Sequence, residues 1–429
     1  MPKKGIKQSR CEGYTVYAGA GPSPHAYLID MEGEIVHEWS YGGMPVKMLP
    51  GGRLLGRKRN RMGVHPLEKE PRAPLEPGTR KPPWQDTIEV VQVDWDGHEE
   101  WSYSDWDDAG TGVMMSRQHH DYQREGNPVG YYAPGQDFVD QGNTIILSHK
   151  NKVVSAISDK ELLDDVIIEV DWNGKLTGFE WHGSDHFDEY GFDDSAKAVL
   201  YKAVNFDDEK GYFDWLHINS VSLLGANRWY HETGDERFNP ENLIISSRSA
   251  NFIAIIRRST GELAWKAGPD FLEGTLEHRL GQFVGQHHAH MIPQGLPGEG
   301  NILVFDNGGE SGYGGPKDYP RYTRQFSRVI ELNPVSYDIV WNYGAESGKE
   351  QFFSHFISGM QRLPNGNTMV TDGANGRLFE VTAGKEIVWE FHSPEIGSFG
   401  NKVYRAYRIP PDWVPGNPSG YDEWSSLYE

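Results

Sequence analysis

The chain has 429 residues, a formal net charge of −21 and 12% aromatic residues, with 14 Trp, 21 Tyr, 50 Gly and 26 Pro. That acidity argues against nucleic acid or anionic lipid as a partner, since both need a basic surface. The lone Cys11 excludes an intrachain disulfide and the thiolate sites of structural zinc. Many aromatics between many Gly and Pro turns favour short strands over helices, and the length fits either two or three ordinary domains or one large repetitive one.

Taken in chain order, the predicted elements repeat. After a basic start with no apolar run behind it, which predicts no signal peptide and a cytoplasmic protein, comes a short strand, "GYTVYAG" (13–19). No stretch approaches the length of a membrane span. Next is "AYLIDMEGEIVHEW" (26–39): alternating apolar residues, a tight Asp/Gly turn, then a strand closing on an aromatic. This hairpin pattern returns at 90–103, 166–181, 252–268, 328–344 and 378–392. Between the copies lie shorter apolar strands, "GGRLLGRK", "GNTIILSHK", "ENLIISSRS", "GNILVFDNG" and "GNTMVTDG", which read as strands buried on both faces.

An inner and an outer hairpin together make a four-stranded sheet. Radial repetition of such sheets closes into a β-propeller. Six outer copies predict six blades in one all-β domain over 1–429, with seven as the alternative; "GYTVYAG" and "KVYRAYRIPPDW" are placed to close the ring. Inserts at 58–88, 127–140, 182–212 and 225–240 read as loops over a face, and 194–205 reads as a short helix.

In a propeller the innermost strands line a central channel, so residues at matching ends meet at one mouth however distant in sequence. Several histidines sit at or just before those strands: His119 and His120 in "RQHHDYQ", His217 in "WLHINSV", His287, His288 and His290 in "GQHHAHM", and His355 in "FSHFISG". His149 and Arg248 fall at the far ends of two neighbouring strands. Packed core histidines, a metal site and a catalytic cluster all fit such stretches singly. The shared repeat phase favours a convergent site.

His288 and His290 alternate onto one strand face and keep zinc open as a structural metal. The acidic stretch 184–194 points only weakly to calcium, since it lacks the ordered ligand register of a calcium loop, and reads first as a solvated acidic loop. No cofactor is otherwise expected: P-loop, GxSxG, HExxH and Rossmann fingerprints are all missing from the sequence.

Four segments together resemble the bacterial arylsulfotransferases: "DWLHINSVS…NLIISSRSANFIAIIRRSTGELAWKAG", "GQHHAHMIP…GNILVFDNG", "RLPNGNTMVTDGANGRLFEVT…IVWEF" and "VYRAYRIPPDW". The resemblance spans roughly 15–410. It implies a two-step transfer of a sulfuryl group from an aryl sulfate to a phenol through a sulfohistidine. His217 matches the family's H-x-N-S histidine, His287 or His288 matches the one before "FDNG", and His355 stands in the place of the nucleophile. The family's arginine soon after "FDNG" is delayed here to Arg321 or Arg324, with Arg248 as the other claimant.

On that reading His355, His217, His288, His287, Arg248 and His120 are catalytic, while His119, His149, His290, Asn219, Tyr322 and Arg324 bind substrate. Ulvan lyases are a second resemblance. They imply β-elimination on an anionic polysaccharide, with His120, His149, His217 and Arg248 in the working positions. A propeller that only binds a partner across one face is the third class.

Overall fold

The computed structural model describes residues 9–20, 25–58, 89–108, 114–202, 213–309, 312–313, 323–344, 352–394 and 400–425. The insert expected over 58–88 lies outside them beyond Lys58. Six four-stranded antiparallel sheets form a ring. The chain enters the first blade at its second strand, with β1 (Tyr14–Gly19), β2 (Ala26–Ile29) and β3 (Ile35–Trp39). Blade two is β4 (Gly42–Leu49), β5 (Arg53–Lys58), β6 (Glu89–Val93) and β7 (Glu99–Tyr103), followed by a short ribbon of β8 (Trp106–Asp108) and β9 (Met114–Ser116).

Blade three is β10 (Gln118–Arg124), β11 (Thr144–Val153), β12 (Glu161–Val170) and β13 (Leu176–His182), and β14 (Phe213–Asp214) adds to β12 in parallel. Between them lies helix α1 (Asp194–Lys202), where a short helix was expected. Blade four is β15 (Ile218–Leu223), β16 (Leu243–Ser247), β17 (Phe252–Ile256) and β18 (Leu263–Ala267), with helix α2 (Arg228–Thr233) between its first two strands. Blade five is β19 (His287–Met291), β20 (Ile302–Asp306), β21 (Arg328–Leu332) and β22 (Ile339–Gly344). Blade six is β23 (Gly359–Arg362), β24 (Thr368–Asp372), β25 (Arg377–Val381) and β26 (Ile387–His392). The last strand, β27 (Val403–Ile409), pairs with β1 as the innermost strand of the first blade and closes the ring.

The repeated sequence pattern has a physical cause at each outer hairpin. Asp30 Oδ1 accepts from the backbone N–H of Glu32 and Glu34, and Asp171 Oδ1 does the same for Asn173 and Lys175. The glycine that follows each, Gly33 or Gly174, takes the left-handed conformation the turn requires (φ 86° and 74°).

The aromatic that ends each hairpin is a Trp whose indole N–H donates to a carbonyl in the corresponding turn of the next blade. Trp39 bonds Asp94 (3.3 Å), Trp101 bonds Asp171 (3.4 Å) and Trp181 bonds Gly261 (3.0 Å). Trp265 bonds Pro334 (2.8 Å), Trp341 bonds Ala383 (3.0 Å) and Trp389 returns to Met31 of the first blade (2.7 Å). Six latches therefore circle the ring, each satisfying a donor that would otherwise be stranded.

Apolar packing lies between neighbouring blades. Ile145, Leu147 and Ile167 of blade three meet Val221, Ile245 and Ala254 of blade four, for example. The innermost strands touch in ring order: β27, β4, β10, β15, β19, β23 and back to β27. No helix among the described residues is long and apolar enough to cross a membrane.

Candidate active site at the axial mouth

The starts of the innermost strands depart from regular β geometry in a shared way. His120, His217, His288 and Ile357 all hold φ between 50° and 55°, a region that residues other than glycine visit rarely. The pairing of β10, β15 and β19 with their neighbours shifts register at these places. Such bulges re-aim side chains, here towards the axis, and strained positions of this kind gather at functional sites.

Blades three and four supply one half of the mouth. His217 Nδ1 donates to Asp214 Oδ2 at 2.6 Å, which fixes the ring and leaves Nε2 directed away from that carboxylate. The ring stands 4.7 Å from that of His120. His120 Nδ1 lies 2.8 Å from His119 Nδ1, and the His119 ring stacks on His149 with centroids 3.7 Å apart. Burial holds the His119 and His120 imidazoles well below the ordinary histidine value, helped by neighbouring histidines, so both are neutral at pH 7. Burial also pushes Asp214 upward, but His217 and His149 outweigh it and hold the carboxyl well below the usual range. Asp165 goes the other way, raised by burial and then by Asp214 and Asp164.

Blades five and six supply the other half. His287 Nδ1 faces two acceptors, Asn307 Oδ1 (2.8 Å) and the Gly285 carbonyl (3.0 Å), so Nδ1 carries the proton and Nε2 the lone pair. The Asn307 amide donates to the carbonyls of Ser354 and Ile357, on either side of His355. One asparagine thus fixes the His287 ring and the loop that presents His355. His355 itself is exposed. Partial burial, then the Lys402 and Arg248 cations, hold its imidazole below the ordinary value. The Arg248 cation also lowers His287, after burial. The Arg248 backbone N–H donates to the His217 carbonyl at 3.1 Å, which ties this stretch of main chain to the first half of the site.

Deeper on the axis the polar groups are committed to one another. Asp121 accepts from Lys47 Nζ (2.8 Å) and Arg405 Nη1 (3.0 Å), all three buried. Burial raises the Asp121 carboxyl, but the two cations outweigh it and leave it below the usual carboxylate range. Asn219, expected to bind substrate, holds this layer to the mouth. Its carbonyl accepts from Arg405 Nη2 (2.7 Å), its Oδ1 from the His288 N–H (3.3 Å), and its amide donates to the Gln286 carbonyl (2.8 Å). His288 Nδ1 accepts from the Met360 N–H, and Nε2 faces the Tyr407 hydroxyl at 3.4 Å. His290 Nε2 meets the Tyr131 hydroxyl at 2.8 Å, and burial pushes its pKa down to about 3. The His288 and His290 rings stand 4.5 Å apart, and His290 Nδ1 faces the His288 carbonyl at 3.1 Å.

The expected residues therefore divide. His120, His217, His287, His355 and Arg248 ring the mouth, with His119 and His149 just behind. His288, His290 and Asn219 lie deeper in the channel. Arg324 is turned to Asp306 (2.9 Å) and three backbone carbonyls, while Arg321 and Tyr322 lie outside the described residues. In the acidic stretch 184–194, Asp185 pairs with Lys152 and Glu189 with His186. Sequence reasoning passed over Asp214, Asp165, Asn307 and Lys402. Asp214 had a signal, since it precedes His217 by three residues in "DWLH".

These features define a six-bladed propeller whose polar axial mouth gathers imidazoles from neighbouring blades. The sequence model of the arylsulfotransferase (ASST) family matches residues 131–397, and the chain belongs to that family. No curated protein matches. A solved protein of unknown function from Bacteroides caccae aligns at 12% identity and a TM-score of 0.47, over 93% of this chain and 99% of that one. Apo AztD from Citrobacter koseri aligns at 9% identity and a TM-score of 0.38, over 93% and 98%.

Proposed function

We propose that the protein is a transferase that moves a sulfuryl group from an aryl sulfate to a phenolic acceptor through a covalent histidine. Family membership supports the reaction class. The observation that supports the residue assignment is Asn307, which holds His287 and the loop of His355 together, with the Arg248 main chain bonded to His217.

In the first step the neutral His355 imidazole attacks sulfur. The N–S bond forms as the S–O(aryl) bond breaks, and a phenolate leaves. Its parent pKa near 10 means that it needs only modest acid assistance. Arg248 and Lys402 neutralise charge on the sulfuryl oxygens as it redistributes in the transition state. In the second step the acceptor phenol gives its proton to a nearby base as its oxygen takes the sulfuryl group, which restores His355. His217, oriented by Asp214 through Nδ1, has the chemistry for that base.

Incubation with 4-nitrophenyl sulfate and phenol tests this. The proposal expects coloured nitrophenolate and phenyl sulfate in equal amounts. No release with any phenolic acceptor, together with unsaturated uronate absorbance on ulvan, would replace it by the β-elimination reading.

A further inference from the structure

Behind the mouth, between blades three and four, His119, His149 and Asp165 turn towards one another, with Asp214 beside them. Each ligand-bearing atom of the first three lies within 4.8 Å of the others. We propose that this cluster is a binding site for a divalent transition metal of the zinc class, held by His119 Nε2, His149 Nε2, the Asp165 carboxylate and Asp214 Oδ1.

The separations carry the argument. His119 Nε2 is 3.5 Å from Asp165 Oδ1, His149 Nε2 is 3.7 Å from the same oxygen, and His149 Nε2 is 3.5 Å from Asp214 Oδ1. These are too long for good hydrogen bonds, which lie at about 2.7–3.2 Å. They are close to the ligand–ligand edges, about 3.4 Å, of a tetrahedron built on metal bonds of about 2.0–2.1 Å. Asp165 is fully buried and its Oδ2 accepts no hydrogen bond among the described residues, a costly state for a carboxyl oxygen without a cation.

The donor set selects the metal. Two imidazoles and two carboxylates suit zinc and its neighbours, whereas calcium and magnesium prefer all-oxygen shells. Binding has a definite local consequence. His119 must give up its 3.1 Å contact to the Ser148 carbonyl and swing out of its stack with His149, because two rings 3.7 Å apart are closer than imidazoles on one ion can sit. Its Nδ1 keeps His120 as an outer partner, and Asp214 keeps Oδ2 for His217. The ion would therefore brace the carboxylate that orients His217 without touching the mouth.

Cobalt(II) titration of chelator-treated full-length protein tests the site without reference to activity. The expected result is one equivalent bound with the intense visible absorption of a tetrahedral ion, displaced by Zn²⁺. Asp165→Asn should weaken binding on the order of 100-fold or more, at or beyond the upper end of what changes outside the ligand shell cause, and His288→Gln should leave it unaltered. Absence of stoichiometric binding by the native chain, or equal binding by Asp165→Asn, overturns the proposal. If Asp165→Asn does not fold, X-ray absorption of the zinc-loaded native chain decides. A shell of two nitrogens and two oxygens supports the site, and any other donor set rejects it.

Discussion

The rim and the axis of this propeller obey opposite rules. At the rim, six equivalent tryptophans make six equivalent bonds to the next blade. On the axis, equivalent stretches of the innermost strands carry Lys47, Asp121, Asn219, His288 and Arg405, a mix of cations, anion, amide and imidazole. The rim repeats because every blade must solve the same docking problem. The axis differs from blade to blade because its residues answer to each other across the channel and, at the mouth, to whatever enters. Repetition marks scaffold here, and its interruption marks chemistry.

The variant expected to separate the two most sharply is His355→Ala. Turnover of 4-nitrophenyl sulfate should fall on the order of 10³-fold or more, while the thermal midpoint holds, since the ring is exposed and no latch involves it. Deeper on the axis the effect should appear in stability. Asp121→Ala strands the buried Lys47 and Arg405 cations and should cost about 3–5 kcal/mol in urea denaturation.

Asp214→Asn should lower kcat roughly 10²-fold by releasing His217 from its orientation, with little loss of helix or strand signal. At the rim, Trp389→Phe removes one latch to Met31 and should cost about 1 kcal/mol with unchanged kcat. A rim variant that abolished turnover, or an Asp121 variant of native stability, would break the contrast. The pH profile sharpens it further. His355 must be neutral to attack, and its pKa lies below the ordinary value because of burial, Lys402 and Arg248. The donor half-reaction should rise with pH with its midpoint below about pH 6.5; a midpoint above that would exclude His355 as the nucleophile.

The rim was legible in the sequence for the reason that it repeats. The Asp/Gly turns and terminal tryptophans recur in register with the hydrophobic alternation, so the six-bladed ring and its closure by "KVYRAYRIPPDW" could be read directly. The histidines of the mouth were legible through their phase in that repeat. What escaped notice were the partners. Asp165 stands one residue ahead of the 166–181 hairpin pattern, in the half of β12 that the pattern does not reach, and Asp214 lies on an added strand, β14, that no blade pattern foretells. Repeat phase also could not grade depth. His287 and His288 are adjacent in sequence, yet one turns to Asn307 and Arg248 and the other is held by Met360 and Tyr407. The bulge at φ 55° on His288 makes that difference, and it leaves no mark in composition or alternation.

The central claim is a covalent one, and it can be observed without turnover. Protein exposed to an aryl sulfate with no acceptor, then digested and mapped by mass spectrometry, should carry one labile sulfuryl group on His355 that disappears when phenol is added. A sulfuryl group found stably on another residue, or steady transfer with no modified histidine at any time, would contradict it.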